Sequence, residues 1–349
     1  MVPRPIMFLI KSSIIIGVCF ALVMSLTGCA GGNSLGNTKA PGSEQESKVK
    51  DADTALDHYS YTFQPHVISK EYSLIFGADI EADFFSFCDT ILSCGKTFPC
   101  SSDERFHQLL GIARTCFPLA EAVIDKDNIK VENGICYLAY LSEGAELTEA
   151  ITSFQSKVTD VITEAIPFDE PDCIKAMELY TAVARKDTYD DSTTLDDFLS
   201  IKPYRAIMED TGICQEIAGE YIYYLLQVGI NAIPCSSLSR DQSEAHEWVL
   251  VDLDGYWYHV DPTLALQYPD SLCFFGMNDK QREYYGDLPP AQFTYAESDR
   301  PDRSRYIADD RRFADFWTAE SYQIDHKNRT IHVKEINTGE EHEYPYPLP

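Results

Sequence analysis

Apolar positions in this 349-residue chain change their period near the middle. From Tyr59 to about Ala165 they recur every three to four residues, the spacing of one helical face. Within 79–94, Ile80, Phe84, Phe87 and Ile91 form one stripe, and Gly95 follows as a stop. Ser102 is placed to cap a second helix that runs to Phe117 and ends at Pro118. Glu132-Asn133-Gly134 predicts a tight turn between extended segments, because Asn-Gly accepts positive φ. Helices are expected over 144–165 and 172–185, the latter with Ala176, Leu179, Tyr180 and Val183 on one side.

The pattern shifts near Asp210. Cys214, Ala218, Tyr221, Leu225 and Val228 mark a helix over 214–228 closed by Gly229. Short apolar strands are expected at 230–235, 247–253, 256–260 and 272–276. Asp254-Gly255 joins the middle two in a two-residue hairpin. Leu253 then faces Tyr256 and Trp248 faces Asp261, with His246 one diagonal step away on the same side, roughly 7–8 Å at the backbone. That side also carries Leu250, Trp257 and His259, and is expected to receive the 214–228 helix. Val249, Val251, Leu253, Tyr256, Tyr258 and Val260 share the other side. Helices followed by an antiparallel meander predict an α+β fold.

The N-terminus has a different logic. Arg4 and Lys11 precede an apolar run, 14–26, too short for the roughly 20 residues of a spanning helix but suited to a secretory signal. The run ends in Leu26-Thr27-Gly28-Cys29, which resembles a bacterial lipobox, with cleavage before Cys29 and acylation of its sulfur and new amino group. This predicts a lipoprotein signal peptide (1–28) and attachment to the extracytoplasmic face of a bacterial membrane. No Phe, Trp or Tyr occurs in 30–58, so 29–58 reads as a flexible tether that burial cannot order. Three further segments follow: a mainly helical region (59–170), a chemistry-bearing domain (171–300) and a C-terminal extension (301–349). Alternation at 330–333 in the extension receives no functional reading.

Charge narrows the partners. The chain has 28 basic against 56 acidic residues, a net −28 that becomes −30 when Arg4 and Lys11 leave with the signal. So acidic a surface excludes a nucleic-acid backbone as partner. Of 11 cysteines, Cys19 leaves with the signal and Cys29 is the lipid site. Nine remain in an oxidising compartment, enough for up to four disulfides and one free thiol, which agrees with a nucleophilic Cys214. Cys88, Cys94 and Cys100 lack the CxxC pairs of a zinc ribbon, so no metal is expected.

Three groups carry candidate chemistry. Cys214 opens a helix, where free N–H groups and the macrodipole favour a thiolate and can hold an oxyanion. His246 begins a strand, and Asp261 ends the next one. Gly212 leaves room for a tight approach to Cys214 and for substrate. Each alone has an ordinary reading. A cysteine in an amphipathic helix is usually a small core hydrophobe. A histidine near tryptophan is usually structural, and an aspartate before proline usually caps a turn. His259, on the same side as His246, competes for the role of base.

Taken together, Gly212-Ile213-Cys214-Gln215-Glu216-Ile217-Ala218, His246-Glu247-Trp248 and the stretch from Asp254-Gly255-Tyr256-Trp257 to Asp261-Pro262-Thr263 resemble the core of the transglutaminase-like superfamily. The resemblance covers about 172–276. It implies a papain-like core, with a Cys-bearing helix packed on an antiparallel sheet, behind a mostly helical N-terminal region. It also implies a triad with Cys214 as nucleophile, His246 as general base and acid, and Asp261 as its orienting partner. The Cys214 backbone N–H would join the oxyanion hole; no residue before it matches a second donor. Tyr189-Asp190 is similar to the dipeptide that often leads into such domains. No calcium site of the animal transglutaminase kind is recognisable, and no cofactor is expected. A thioester at Cys214 can meet water, giving peptidase or amidase action, or a lysine amine, giving cross-linking; hydrolysis is the favoured reading. Expected substrates are proteins or peptides, cell-wall peptide among them. The rival reading is a non-catalytic, surface-binding lipoprotein that keeps the fold.

Overall fold

The caps written in the chain set the helix ends. A computed structural model describes residues 57–190, 192, 203–238, 245–284, 303–346 and 348. Helix α1 (Lys70–Phe76) starts at Ser69, whose hydroxyl accepts from the Glu71 N–H. Helix α2 (Ile80–Leu92) buries Ile80, Phe84, Phe87 and Ile91, the stripe expected of it. Helix α3 (Asp103–Cys116) is capped by Ser102, which accepts from the Arg105 N–H at 3.1 Å. A short α4 (Leu119–Val123) follows Pro118. Strands β1 (Thr97–Pro99), β2 (Lys130–Glu132) and β3 (Ile135–Tyr137) form a small antiparallel sheet in the order β1-β3-β2. Asn133 and Gly134 turn the β2–β3 hairpin with φ of 53° and 80°, as two-residue turns of this kind require. Helices α5 (Ala145–Ala165) and α6 (Asp172–Lys186) complete this half.

The second half supports the candidate site. Strand β4 (Thr188–Tyr189) pairs in parallel with β5 (Thr211–Gly212), and α7 (Pro203–Glu209) precedes β5. Helix α8 (Cys214–Gln227) is buried along its whole length, as a helix through the middle of a core must be. Strands β6 (Ala232–Leu238), β7 (Ala245–Leu253) and β8 (Tyr256–Val260) form an antiparallel sheet in that order. Leu253 pairs with Tyr256 and Val249 with Val260, so the loop is Asp254-Gly255, both at positive φ. The strand expected at 272–276 is a series of turns; Met277 alone bridges to His259, with backbone bonds of 2.8 and 2.9 Å. Two short helices, α9 (Pro262–Ala265) and α10 (Asp279–Tyr284), flank this bridge. The extension forms a separate antiparallel sheet of β9 (Ala319–Asp325), β10 (Thr330–Glu335) and β11 (Glu341–Pro345). Helices and antiparallel sheets together make the fold α+β.

Packing reverses one expectation. An aromatic chain runs from Tyr221 of α8 through Tyr180, Phe275 and Phe313 to Tyr258, with successive ring centroids 6.4, 5.6, 5.3 and 4.8 Å apart. Helix α8 is therefore joined to the Tyr258 side of the sheet, not to the Trp248 side. The Trp248 side builds its own cluster of Ile233, Cys235, Trp248, Leu250 and Tyr306, with Trp257 against it. The reason is polarity. His259 and Asp261 lie on that side fully buried, and their polar partners are Trp248, Asp279, His246 and Arg282, none of them from α8.

The disulfides considered above do not form. All nine described cysteines are free, and all but Cys94 are buried. Burial pushes the Cys116 thiol up to about 12, so these groups act as small apolar side chains. A buried ionic knot ties α6 to α8: Lys186 Nζ stands 2.9 Å from Glu220 and 3.0 Å from Asp210, and it also bonds Asp187. Burial and the neighbouring Glu220 push the Asp187 carboxyl well above the usual carboxylate range, against the pull of Lys186. Among the described residues, no helix is long and apolar enough to cross a membrane.

Candidate active site

Cys214 is the first residue of α8, His246 the second of β7, and Asp261 the residue after β8. Antiparallel pairing sets the start of β7 beside the end of β8, so the three meet at one end of the helix–sheet layer rather than on a face. His246 Nε2 lies 2.7 Å from Asp261 Oδ2. The Cys214 sulfur is close enough to the same ring to favour its protonated form. With Nε2 taken by the carboxylate, Nδ1 is the nitrogen left for sulfur. Asp261 is fully buried, Cys214 is 8% exposed, and the His246 side chain is 19% exposed. Solvent therefore reaches the ring and barely reaches the carboxylate.

Charge in this group is strongly biased. Burial works against a protonated His246, but the Asp261 carboxylate and the Cys214 sulfur outweigh it and raise the ring to about 9. Burial likewise works against an ionised Asp261, yet His246, Arg282 and the Leu264 N–H hold it below the usual carboxylate range. Asp261 Oδ1 accepts that N–H at 3.1 Å and so caps α9. Asp261 thus does what an aspartate before proline ordinarily does, and holds the imidazole as well. A thiol, imidazole and carboxylate in this order can pass the thiol proton to the ring and keep it there.

The turn into Cys214 is fixed by Glu216 and Asp190 of the recognised motifs together with Arg205, which the sequence did not single out. Glu216 Oε2 accepts from the Ile213 N–H at 3.0 Å, reaching back across the helix start. Arg205 of α7 donates from Nε to Glu216 Oε1 at 3.0 Å and from Nη1 to Asp190 Oδ2 at 2.6 Å. The Asp190 N–H in turn donates to the Gly212 carbonyl at 2.9 Å. Tyr189-Asp190 is therefore one anchor of the Cys214 turn. A Cβ at Gly212 would stand 2.9 Å from the Glu216 Cβ, so glycine is what lets the turn enter α8 this tightly. Glu216 was the available signal: a buried carboxylate in this helix calls for a cation, and the partly buried Arg205 is that cation.

His259, the competing base, is occupied on both ring nitrogens. The Trp248 indole N–H donates to His259 Nδ1 at 2.9 Å, and His259 Nε2 faces Asp279 Oδ1 at 2.9 Å. The Trp248 ring also stacks on His246, with centroids 5.9 Å apart and planes 19° from parallel. The Arg282 guanidinium lies 3.9 Å from the Trp248 ring centroid, with Nη2 3.6 Å from Asp261 Oδ2. Arg282 follows the recognised motifs in the chain, and nothing in its local sequence marks it.

Residues 160–262 match the transglutaminase-like superfamily. They form a transglutaminase-like domain. The match takes in Cys214, His246 and Asp261 and stops before Arg282. No curated protein matches the chain. Solved structures that match include a candidate cysteine protease from Cytophaga hutchinsonii, at 16% identity over 32% of this chain and 37% of that one, TM-score 0.26. A second is a TGase, at 14% identity over 48% and 49% of the two chains, TM-score 0.29. The chain spans less than half the length of either.

Among the described residues, no group of three or more His, Cys, Asp or Glu side chains is arranged to hold a metal ion near the transglutaminase-like domain or elsewhere. Cys29, the signal peptide and nearly all of the tether lie outside the described residues.

Proposed function

We propose that the transglutaminase-like domain is a cysteine hydrolase acting on amide bonds of proteins or peptides. The observation that carries this reading is the Cys214–His246–Asp261 contact, with the carboxylate sealed and the ring reachable. Cys214 sulfur attacks the amide carbonyl while His246 holds the thiol proton; Asp261 stabilises the imidazolium. The ring then gives that proton to the leaving amine, and a thioester remains. Water attacks the thioester, its proton passes to His246, and collapse releases the acid and restores the thiol. The Cys214 N–H at the start of α8 is the proposed oxyanion donor, with Gly212 in the turn before it.

The location belongs to the same proposal. Cleavage before Cys29 and its acylation would tether the domain outside a bacterial membrane, within reach of surface proteins and cell-wall peptides. Iodoacetamide labelling of the purified chain across pH tests the nucleophile. The expected result is one thiol that reacts quickly well below pH 8, the ordinary range for a free cysteine being about 8.5, and that is lost in Cys214→Ala. Equal labelling in the variant removes the enzymatic reading and leaves a surface-binding lipoprotein. A labelled primary amine offered with an acyl donor separates the reactions: incorporation would mean cross-linking, and release of free acid alone hydrolysis.

A further inference from the structure

Arg282 is 4% exposed, and arginine is almost never so buried without a partner that needs it. We infer that Arg282 is a positioning residue of the active site: its guanidinium holds the Asp261 carboxylate and the Trp248–His246 stack in place from the sheet side opposite α8. The inference rests on the cysteine-hydrolase reading above. Two distances carry it. Nη2 is 3.6 Å from Asp261 Oδ2, too long for a strong hydrogen bond but short for two buried charges. The flat guanidinium lies 3.9 Å from the Trp248 centroid, and Trp248 stacks on His246. Arg282 Nε has no hydrogen-bond partner among the described residues, so the cation is not there to complete a well-satisfied network of its own.

The need for it comes from the reaction. His246 must gain and lose a proton in each turnover. When Nδ1 gives up its proton, the Nε2–H still donates to Asp261, but the ring's positive charge is gone and the fully buried carboxylate keeps only neutral donors there, the Nε2–H and the Leu264 N–H. A second, permanent cation keeps the carboxylate ionised through that part of the cycle. Arg282 itself faces Asp261, Trp248 and the Cys235 thiol of β6. Helix α10, which carries Arg282, is firmly anchored. Asn278 Oδ1 accepts the Gln281 N–H at 2.8 Å, and the Asp279 N–H donates to the Ala308 carbonyl at 2.7 Å. Asp279, on the same helix, meets His259, so one short segment supports Trp248 both directly and through His259.

The test is the pH profile of Cys214 carboxamidomethylation by iodoacetamide in the full chain, for the native protein, Arg282→Met, Arg282→Lys and His246→Ala. Removing a cation this close to a carboxylate should move the acid limb of the Arg282→Met profile up by about one pH unit, a loss of about tenfold in rate at a fixed pH on that limb. Arg282→Lys keeps the charge and should leave the limb near its native position. Arg282→Gln replaces the Met variant should circular dichroism show the latter unfolded. A neutral variant whose profile superimposes on the native one overturns the inference, and so does a Lys variant shifted as far as the neutral one. His246→Ala separates the two readings. If it slows labelling while the Arg282 variants do not, the positioning role alone falls; if it leaves native labelling unchanged, the hydrolase reading falls and takes the positioning role with it.

Discussion

Two histidine–carboxylate pairs sit on the same side of one sheet, and only one of them leaves a ring nitrogen for a third group. His246 meets Asp261 at 2.7 Å, and His259 meets Asp279 at 2.9 Å. The lengths hardly differ; the second nitrogen does. In His246 it is free to receive a thiol proton from Cys214. In His259 it already accepts the Trp248 indole N–H, so protonating it would break a buried hydrogen bond. The carboxylates differ as well, Asp261 being sealed and Asp279 28% exposed. A histidine beside an acid is therefore weak evidence for a base; an unspent nitrogen facing a nucleophile is the stronger mark.

The sharpest way to break this comparison is to remove each ring. His246→Ala should slow Cys214 labelling at neutral pH by about 10²–10⁴-fold, the usual worth of a positioned acid–base group. His259→Gln can keep both contacts in part and should leave the rate within about threefold, with a stability loss of about 1–3 kcal/mol in denaturant unfolding. Equal losses of rate would erase the distinction. The carboxylates give the next test. Asp261→Asn breaks a buried ion pair and should cost about 3–5 kcal/mol, whereas Asp279→Asn, at a partly exposed pair, should cost about 1 kcal/mol or less.

Acidity sharpens the contrast further. His246 is raised above its ordinary 6.5, so its contribution to stability is full below 6.5 and is lost as pH rises through about 9. Asp261 is lowered below 3.8, so its contribution is present above 3.8 and is lost as pH falls through its lower folded value. Unfolding measured from pH 4 to 10 should show a plateau with a fall on the alkaline side, and nuclear magnetic resonance should follow one ring ionising near 9. An alkaline fall that persists in His246→Gln would assign it elsewhere. The turn gives a separate test: Gly212→Ala pushes on Glu216 and should cost about 1–3 kcal/mol.

Local rules made much of this legible. The α2 stripe, the Ser102 cap and both two-residue hairpins follow from spacing and turn chemistry alone, and the Asp254-Gly255 register is what set His246 and Asp261 on one side. Long-range choices were not legible. The side of the sheet that α8 occupies depends on Phe275 and Phe313, and the latter lies far beyond the recognised motifs. The cysteine count suggested disulfides, yet thiols pack as readily as small apolar groups and their number does not distinguish the two. Arg205 and Arg282 escaped notice because a structural cation is defined by the anion it meets, and those anions come from other segments. The extension offered alternation at 330–333 without a partner; its sheet is closed by β9 and β11, on either side in sequence.

Trp248 has one more consequence. Its indole touches the His246 imidazole, a second imidazole that accepts its N–H, and a guanidinium. The chain has only three tryptophans, so the ring stacked on His246 is one of three sources of its indole emission. Protonated imidazole quenches indole light, which makes this residue a built-in optical gauge that could be read in real time and without a label.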